Sequence, residues 1–223
     1  MADINKIKGM IFDADGTLLD SMPMWGIVEE EYLKSLGVTP RPDLHDAIRA
    51  LGGHEIAKYF QEEYAVRKTA EEMSAGIYKL MGEYYSDRVL LKSGAAGVLE
   101  ELRARGIKMC VATATDKRLM EPALRQCGIL GYFGKVFTCG EENTSKSSPD
   151  IYIRAASFLG TDINDTLVIE DALYAMRSAK RAGFPVAAVY DSAADTQQQE
   201  IKEACDFYFK TLDEMLDELR IEN

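Results

Sequence analysis

Two carboxylates one residue apart, Asp13 and Asp15, follow directly on the apolar stretch Ile7 to Phe12 and lead into Gly16-Thr17. Side chains alternate across an extended backbone, so Asp13 and Asp15 project to one side while Ala14 points away. Gly16 allows the sharp turn that follows. Acids held this close repel, and they are tolerated where a cation sits between them or where one keeps its proton while the other ionises. Either outcome is chemistry. An Asp-Gly pair after a strand is also an ordinary turn, so the pentapeptide alone leaves turn and active site open.

Three later segments put polar groups at the ends of further strand-like runs. In Val111-Ala112-Thr113-Ala114-Thr115-Asp116 a hydroxyl and the following amides open toward a helix. That arrangement can cradle an anion, or Thr113 or Thr115 can simply cap the helix. Lys146 lies in the irregular stretch Asn143 to Pro149. A loop lysine is ordinarily solvated; turned inward, its ammonium would neutralise phosphate oxygens and help to keep Asp13 ionised. Glu170-Asp171 ends the run Thr166 to Ile169. These acids can cap the next helix, and Asp171 with Asp13 can also make a hard-cation site, since Mg2+ takes oxygen ligands and few carboxylates.

The elements that must position these groups alternate from about residue 95 onward. Lys108 to Ala114, Lys135 to Cys139, Thr166 to Ile169, Pro185 to Tyr190 and a shorter Phe207 to Phe209 read as strands. Ala95 to Arg105, Lys117 to Gln126 and Ala172 to Ala182 read as helices, closed by Gly106, Gly128 and Gly183, and Leu212 to Leu219 makes a last one. This alternation predicts an α/β fold, a Rossmann-like parallel sheet core with helices on both faces. Ser21 to about Asp87 contains no convincing strand. Trp25, Val28, Tyr32 and Leu36 share one helical face there, with Asp20 or Ser21 as the cap and Pro23 in the first turn. Gly52-Gly53 breaks the next helical segment, and Thr69 with Glu72 offers a capping box. The expected layout is a catalytic core of residues 1–16 and 91–223 and an inserted α-helical cap domain of residues 17–90, which acts as a lid with hinges near residues 16–21 and 86–93.

Composition narrows the partners. The chain has 223 residues and carries 26 Lys and Arg against 37 Asp and Glu, a net charge of −11, which opposes binding to nucleic acid. Four scattered cysteines make no metal-ligand or redox pair, and two histidines poorly supply zinc or Ser-His-Asp chemistry. With no signal-peptide pattern and no membrane-length apolar run, the expectation is a cytoplasmic protein with no membrane partner, monomeric or weakly dimeric.

Taken in order, Asp13-x-Asp15-Gly16-Thr17, Thr113, Lys146 and Glu170-Asp171, with the helical block after the first motif, resemble the haloacid dehalogenase superfamily. The likeness spans essentially the whole chain and is nearest to the subgroup with a small α-helical cap that includes β-phosphoglucomutase and small-metabolite phosphatases. It implies that Asp13 is the nucleophile that becomes an aspartyl phosphate, and that Asp15 is the general acid and then the base. It further implies Mg2+ held by Asp13, the Asp15 carbonyl and Asp171 with Glu170 nearby or through water, and a phosphoryl group held by Thr113, the Ala114 amide and Lys146. Ala114 stands where the family often has Asn, and Ser147 where it often has Pro. Neither change removes a charged or nucleophilic group. Asp15 argues against carbon–halogen cleavage, which needs no proton donor for an alkoxide.

The implied activity is Mg2+-dependent hydrolysis of a small phosphorylated metabolite, a sugar phosphate or nucleotide, with a phosphomutase as the rival. β-Phosphoglucomutase carries a cap histidine about where Trp25 falls here, which weakens that rival. Candidate substrate contacts on the cap are Arg49, Gly53, His54 and Lys58, with Met24, Trp25 and Gly52 near the expected mouth. Trp25 is expected to pack into the cap, and Lys58, off the stripe of Ile56, Tyr59 and Phe60, to face either the cleft or solvent.

Overall fold

A computed structural model describes residues 3–48, 51 and 53–220. Strand β1 (Gly9–Phe12) is followed by helices α1 (Val28–Ser35), α2 (Leu44–Ile48), α3 (Gly53–Tyr64) and α4 (Ala70–Asp87). Helix α5 (Ala95–Ala104) then opens the alternation β2 (Lys108–Thr113), α6 (Lys117–Gln126), β3 (Val136–Thr138), α7 (Asp150–Leu159) and β4 (Thr166–Glu170). The series continues through α8 (Leu173–Arg181), β5 (Val186–Val189), α9 (Gln198–Ala204), β6 (Phe207–Phe209) and α10 (Leu212–Arg220). The chain divides into two compact units, one running up to Asp20 and resuming at Val89, the other Ser21–Arg88.

The first unit is the α/β sheet expected from the sequence. Its six strands lie in the order β3-β2-β1-β4-β5-β6, every adjacent pair parallel. β1, β4 and β5 are buried along their whole length, which is why their middles read as continuous apolar runs rather than alternating ones. Ile11 sits opposite Cys110 of β2 and Val168 of β4, and these residues pack with Ile151, Tyr152 and Ala155 of α7 and Met176 and Ala179 of α8. Connections from β1 run toward β3 and those from β4 toward β6. A crevice therefore opens at the carboxyl ends of β1 and β4, where open α/β sheets place their ligands.

Residues on either side of the second unit are joined within the first. Asp20 N–H donates to the Leu90 carbonyl at 2.9 Å, Lys92 N–H to the Leu18 carbonyl at 2.9 Å, and Leu19 bridges Leu91 in antiparallel fashion. The segments leading out to the helices and back thus run side by side. Gly94 immediately precedes helix α5; its φ is +83° and an added Cβ would lie 2.2 Å from the Asp213 backbone nitrogen. Only glycine meets both conditions.

The second unit is helical throughout its described residues. Tyr32 and Leu33 of α1, Leu44 and Ile48 of α2, Ala57 and Phe60 of α3, and Met73 of α4 form its core, with Tyr32 and Phe60 stacked at 6.4 Å. The Thr69–Glu72 capping box forms in both directions at the start of α4. The expected first helix differs from the observed one. Met22–Gly26 is a separate 3-10 turn, and Ile27 (φ −123°, ψ −14°) interrupts the helical path before α1 begins at Val28. Trp25 accordingly leaves the Val28–Tyr32 face and stands 39% exposed, contrary to the expected packing, and Ser21 makes no side-chain cap. The apolar period ran through Gly26, but the backbone did not follow it.

Candidate active site

Asp13 is the first residue past β1, and its N–H donates to the Ile169 carbonyl of β4 at 2.9 Å. This bond fixes the side chain at the mouth of the crevice. The chain then folds back, with Leu18 and Leu19 N–H groups both donating to the Ala14 carbonyl at 2.9 and 2.8 Å. Gly16, at φ +79°, supplies the left-handed step in that turn.

Four distant stretches meet around Asp13. Lys146 is buried rather than solvated; its ammonium is in direct contact with Asp13 Oδ1 and donates to Glu170 Oε1 at 2.6 Å. Tyr152 of α7 donates its hydroxyl to the same Glu170 oxygen at 2.9 Å. Oxygens of Asp13, Glu170 and Asp171 all lie within 4.8 Å of one another. Thr17 donates to Asp171 Oδ1 at 3.4 Å. Neither Glu170 nor Asp171 provides the N-terminal side-chain cap of α8, which has none.

The electrostatics follow from burying so many charges together. Burial pushes the Asp13 carboxyl well above the usual range; Lys146 opposes this, while Glu170, Asp171 and Asp15 add to it. Burial and then the Glu170 charge raise Asp171 to about 7. Burial alone would lower Lys146, but Asp13 and Glu170 outweigh it and hold the ammonium firmly charged. Three buried acids share one buried cation, which leaves an excess of negative charge at an all-oxygen site. That donor set suits a hard divalent ion such as Mg2+.

Asp15 is half-buried and accepts from the Thr115 hydroxyl at 2.7 Å. Thr113 is buried at the end of β2, where its hydroxyl accepts from the Thr115 N–H at 3.1 Å, while Ala114 is exposed at the lip. Neither threonine caps α6; Asp116 does, accepting from Arg118 N–H at 2.8 Å. Where Ser147 replaces the family's usual proline, Arg181 of α8 donates to the Ser147 carbonyl at 2.6 Å and pins the Lys146 loop.

On the helical unit, Gly53 opens α3, while His54 and Lys58 are exposed on it, Lys58 facing Glu62 at 3.8 Å. Lys58 is thus solvated within its own unit. Arg49 and Gly52 lie outside the described residues. Tyr152, and the hydrogen bonds of Thr17 and Thr115 to the acids, are site features that the sequence motifs do not mark. A hydroxyl on the otherwise apolar face of Ile151, Ala155 and Ala156 was the available signal for Tyr152.

A parallel sheet thus brings acids and a buried lysine together at its carboxyl edge. The sequence model of the haloacid dehalogenase-like hydrolases matches residues 7–183, and the chain belongs to that family. Among its relatives is a phosphorylated carbohydrates phosphatase of Thermotoga maritima, 24% identical over 177 residues, covering 79% of this chain and 82% of that one. Solved structures share the fold. A β-phosphoglucomutase candidate from Thermotoga maritima superposes with a TM-score of 0.86 at 22% identity, covering 97% of this chain and 100% of that one. CbbY from Rhodobacter sphaeroides, solved in complex with phosphate, gives 0.75 at 23% identity, covering 96% and 100%.

Proposed function

We propose that this chain is a Mg2+-dependent phosphatase that hydrolyses a small phosphorylated metabolite, of the sugar phosphate or nucleotide class, through an aspartyl phosphate on Asp13. The observation that carries the reading is the Lys146 ammonium seated between Asp13 and Glu170, with Asp171 beside them. An acid, a fixed cation and further acids in one buried cluster suit a reaction in which a nucleophilic carboxylate meets a phosphoryl dianion. The phosphatase name of a relative supports the same class.

In the first half-reaction an Asp13 oxygen forms a bond to phosphorus as the bond to the leaving oxygen breaks, and Asp15 gives that oxygen its proton. In the second, Asp15 takes a proton from water as the water oxygen attacks phosphorus, which frees Asp13 and inorganic phosphate. Lys146, Thr113 and the Ala114 amide hold the phosphoryl oxygens and offset their charge. Glu170, engaged by Lys146 and Tyr152, orients the lysine. Mg2+ would be held by Asp13, Asp171 and the Asp15 carbonyl, and would add positive charge where the phosphoryl group carries negative charge.

A metal-dependent release of phosphate from an aryl phosphate, followed by a panel of sugar phosphates and nucleotides with and without chelator, tests this. Asp13→Asn is expected to lower kcat by at least about 10³-fold, since no covalent route remains. Activity persisting unchanged in that variant would overturn the mechanism. An isomerised sugar phosphate in place of free phosphate would point to phosphomutase action.

A further inference from the structure

Lys92 stands apart from the acid cluster, yet it is half-buried and its ammonium is fully engaged. Its Nζ donates to the Gly16 carbonyl at 2.6 Å, to the Tyr190 carbonyl at 2.8 Å and to Asp191 Oδ2 at 2.8 Å. Three donors meet three acceptors, the full capacity of an ammonium. The Lys92 side chain is 17% exposed and that of Asp191 6%. The other Asp191 oxygen accepts from Ala193 N–H at 2.9 Å, so the acid is itself fixed at the end of β5. A charge pair withdrawn from most of its water is held best with its hydrogen bonds complete, and here they are.

The placement of those bonds matters more than their number. The Lys92 backbone also donates to the Leu18 carbonyl, so this one residue grips the turn after Asp15 on both sides of Thr17. The Gly16 carbonyl belongs to the residue that follows Asp15, and the Asp15 carboxylate is held from the other side by Thr115. Asp15 thus sits between two clamps, one on its side chain and one on the backbone that follows it.

We propose that Lys92, braced by Asp191, is the positioning residue for Asp15, fixing where its carboxyl can deliver a proton to the leaving oxygen. This rests on the reading of Asp15 as general acid. Proton delivery depends on distance, so loosening this turn penalises leaving groups that need the proton and spares those that depart as stable anions.

The test compares phenyl phosphate, a poor leaving group, with para-nitrophenyl phosphate, a good one, in the full-length protein with Mg2+. In Lys92→Met, kcat for phenyl phosphate is expected to fall about 10²-fold, with a much smaller loss on the nitrophenyl ester and little change in KM. Lys92→Arg should recover part of the difference, and Asp191→Asn should open the same gap to a lesser degree. Those two variants keep a buried charge or its volume, so they carry the comparison if the methionine variant does not fold. Equal losses on both esters, or no change in their ratio, would overturn the inference while leaving the phosphatase reading intact. No turnover of either ester by the unaltered protein would overturn both.

Discussion

At the scale of single residues, the site is set by carboxyls that share too little positive charge. Asp171 holds its proton to about pH 7 in the folded chain, whereas in the unfolded chain it ionises near the ordinary value of about 3.9. Between those values the folded state binds more protons, so stability falls as pH rises through that window. A divalent ion held by Asp171, as proposed, would bind the ionised form and reverse the loss. The metal-free protein should therefore melt at a lower temperature at about pH 8 than at about pH 5, and Mg2+ should raise the midpoint more at the higher pH. A midpoint that rises with pH in metal-free protein, or Mg2+ stabilisation that shrinks with pH, would contradict this. Tyr152→Phe removes a hydrogen bond to the buried Glu170 carboxylate and should lower unfolding stability by roughly 1.5–3 kcal/mol. Urea denaturation measures it, and an unchanged midpoint would show that the bond contributes nothing. Asp13, Asp15, Lys146, Glu170 and Asp171 were legible because each follows a run that reads as a strand or sits in a breaker-rich loop. Their supporting hydroxyls were not, because Tyr152 and Thr115 reach the acids only once β4, α7 and the β2 end are brought together.

At the scale of elements, the central strands could be read because burial on both faces keeps their middles apolar, as in Met10 to Phe12, Leu167 to Ile169 and Val186 to Val189. The helices α5, α6 and α8 could be read from their glycine stops. The entry to the helical unit could not, since periodicity records which face is apolar and is silent on whether the backbone stays helical across Gly26 and Ile27. Gly94 marks the junction where α5 packs against the start of α10. Gly94→Ala would force a side chain into a left-handed backbone position and into the Asp213 main chain, and should cost more than about 2 kcal/mol. A chemical-denaturation midpoint equal to that of the unaltered protein would show that the junction relaxes freely.

At the scale of the whole molecule, the sequence announced a parallel sheet without its strand order. That order depends on the chain returning from β3 at one edge to β4 beside β1, a long-range choice no local pattern encodes. It brings Asp13 to the same crevice as Glu170 and Asp171. The expected division at residues 16 and 91 differs by a few positions from the compact units, which part after Asp20 and before Val89. The reason is that residues 18–20 pair with 90–92 and so stay with the sheet.

That pairing also suggests a cut at which the helical block could be removed. Asp20 and Leu90 are hydrogen-bonded neighbours, so a tight Asn-Gly turn could join them as the tip of an ordinary hairpin. A chain shortened in this way should keep the circular dichroism of a folded α/β protein and a cooperative melt. Failure to fold would mean that the sheet needs the helices for its own stability. Success would mean that this seam tolerates the exchange of one helical block for another without disturbing the sheet.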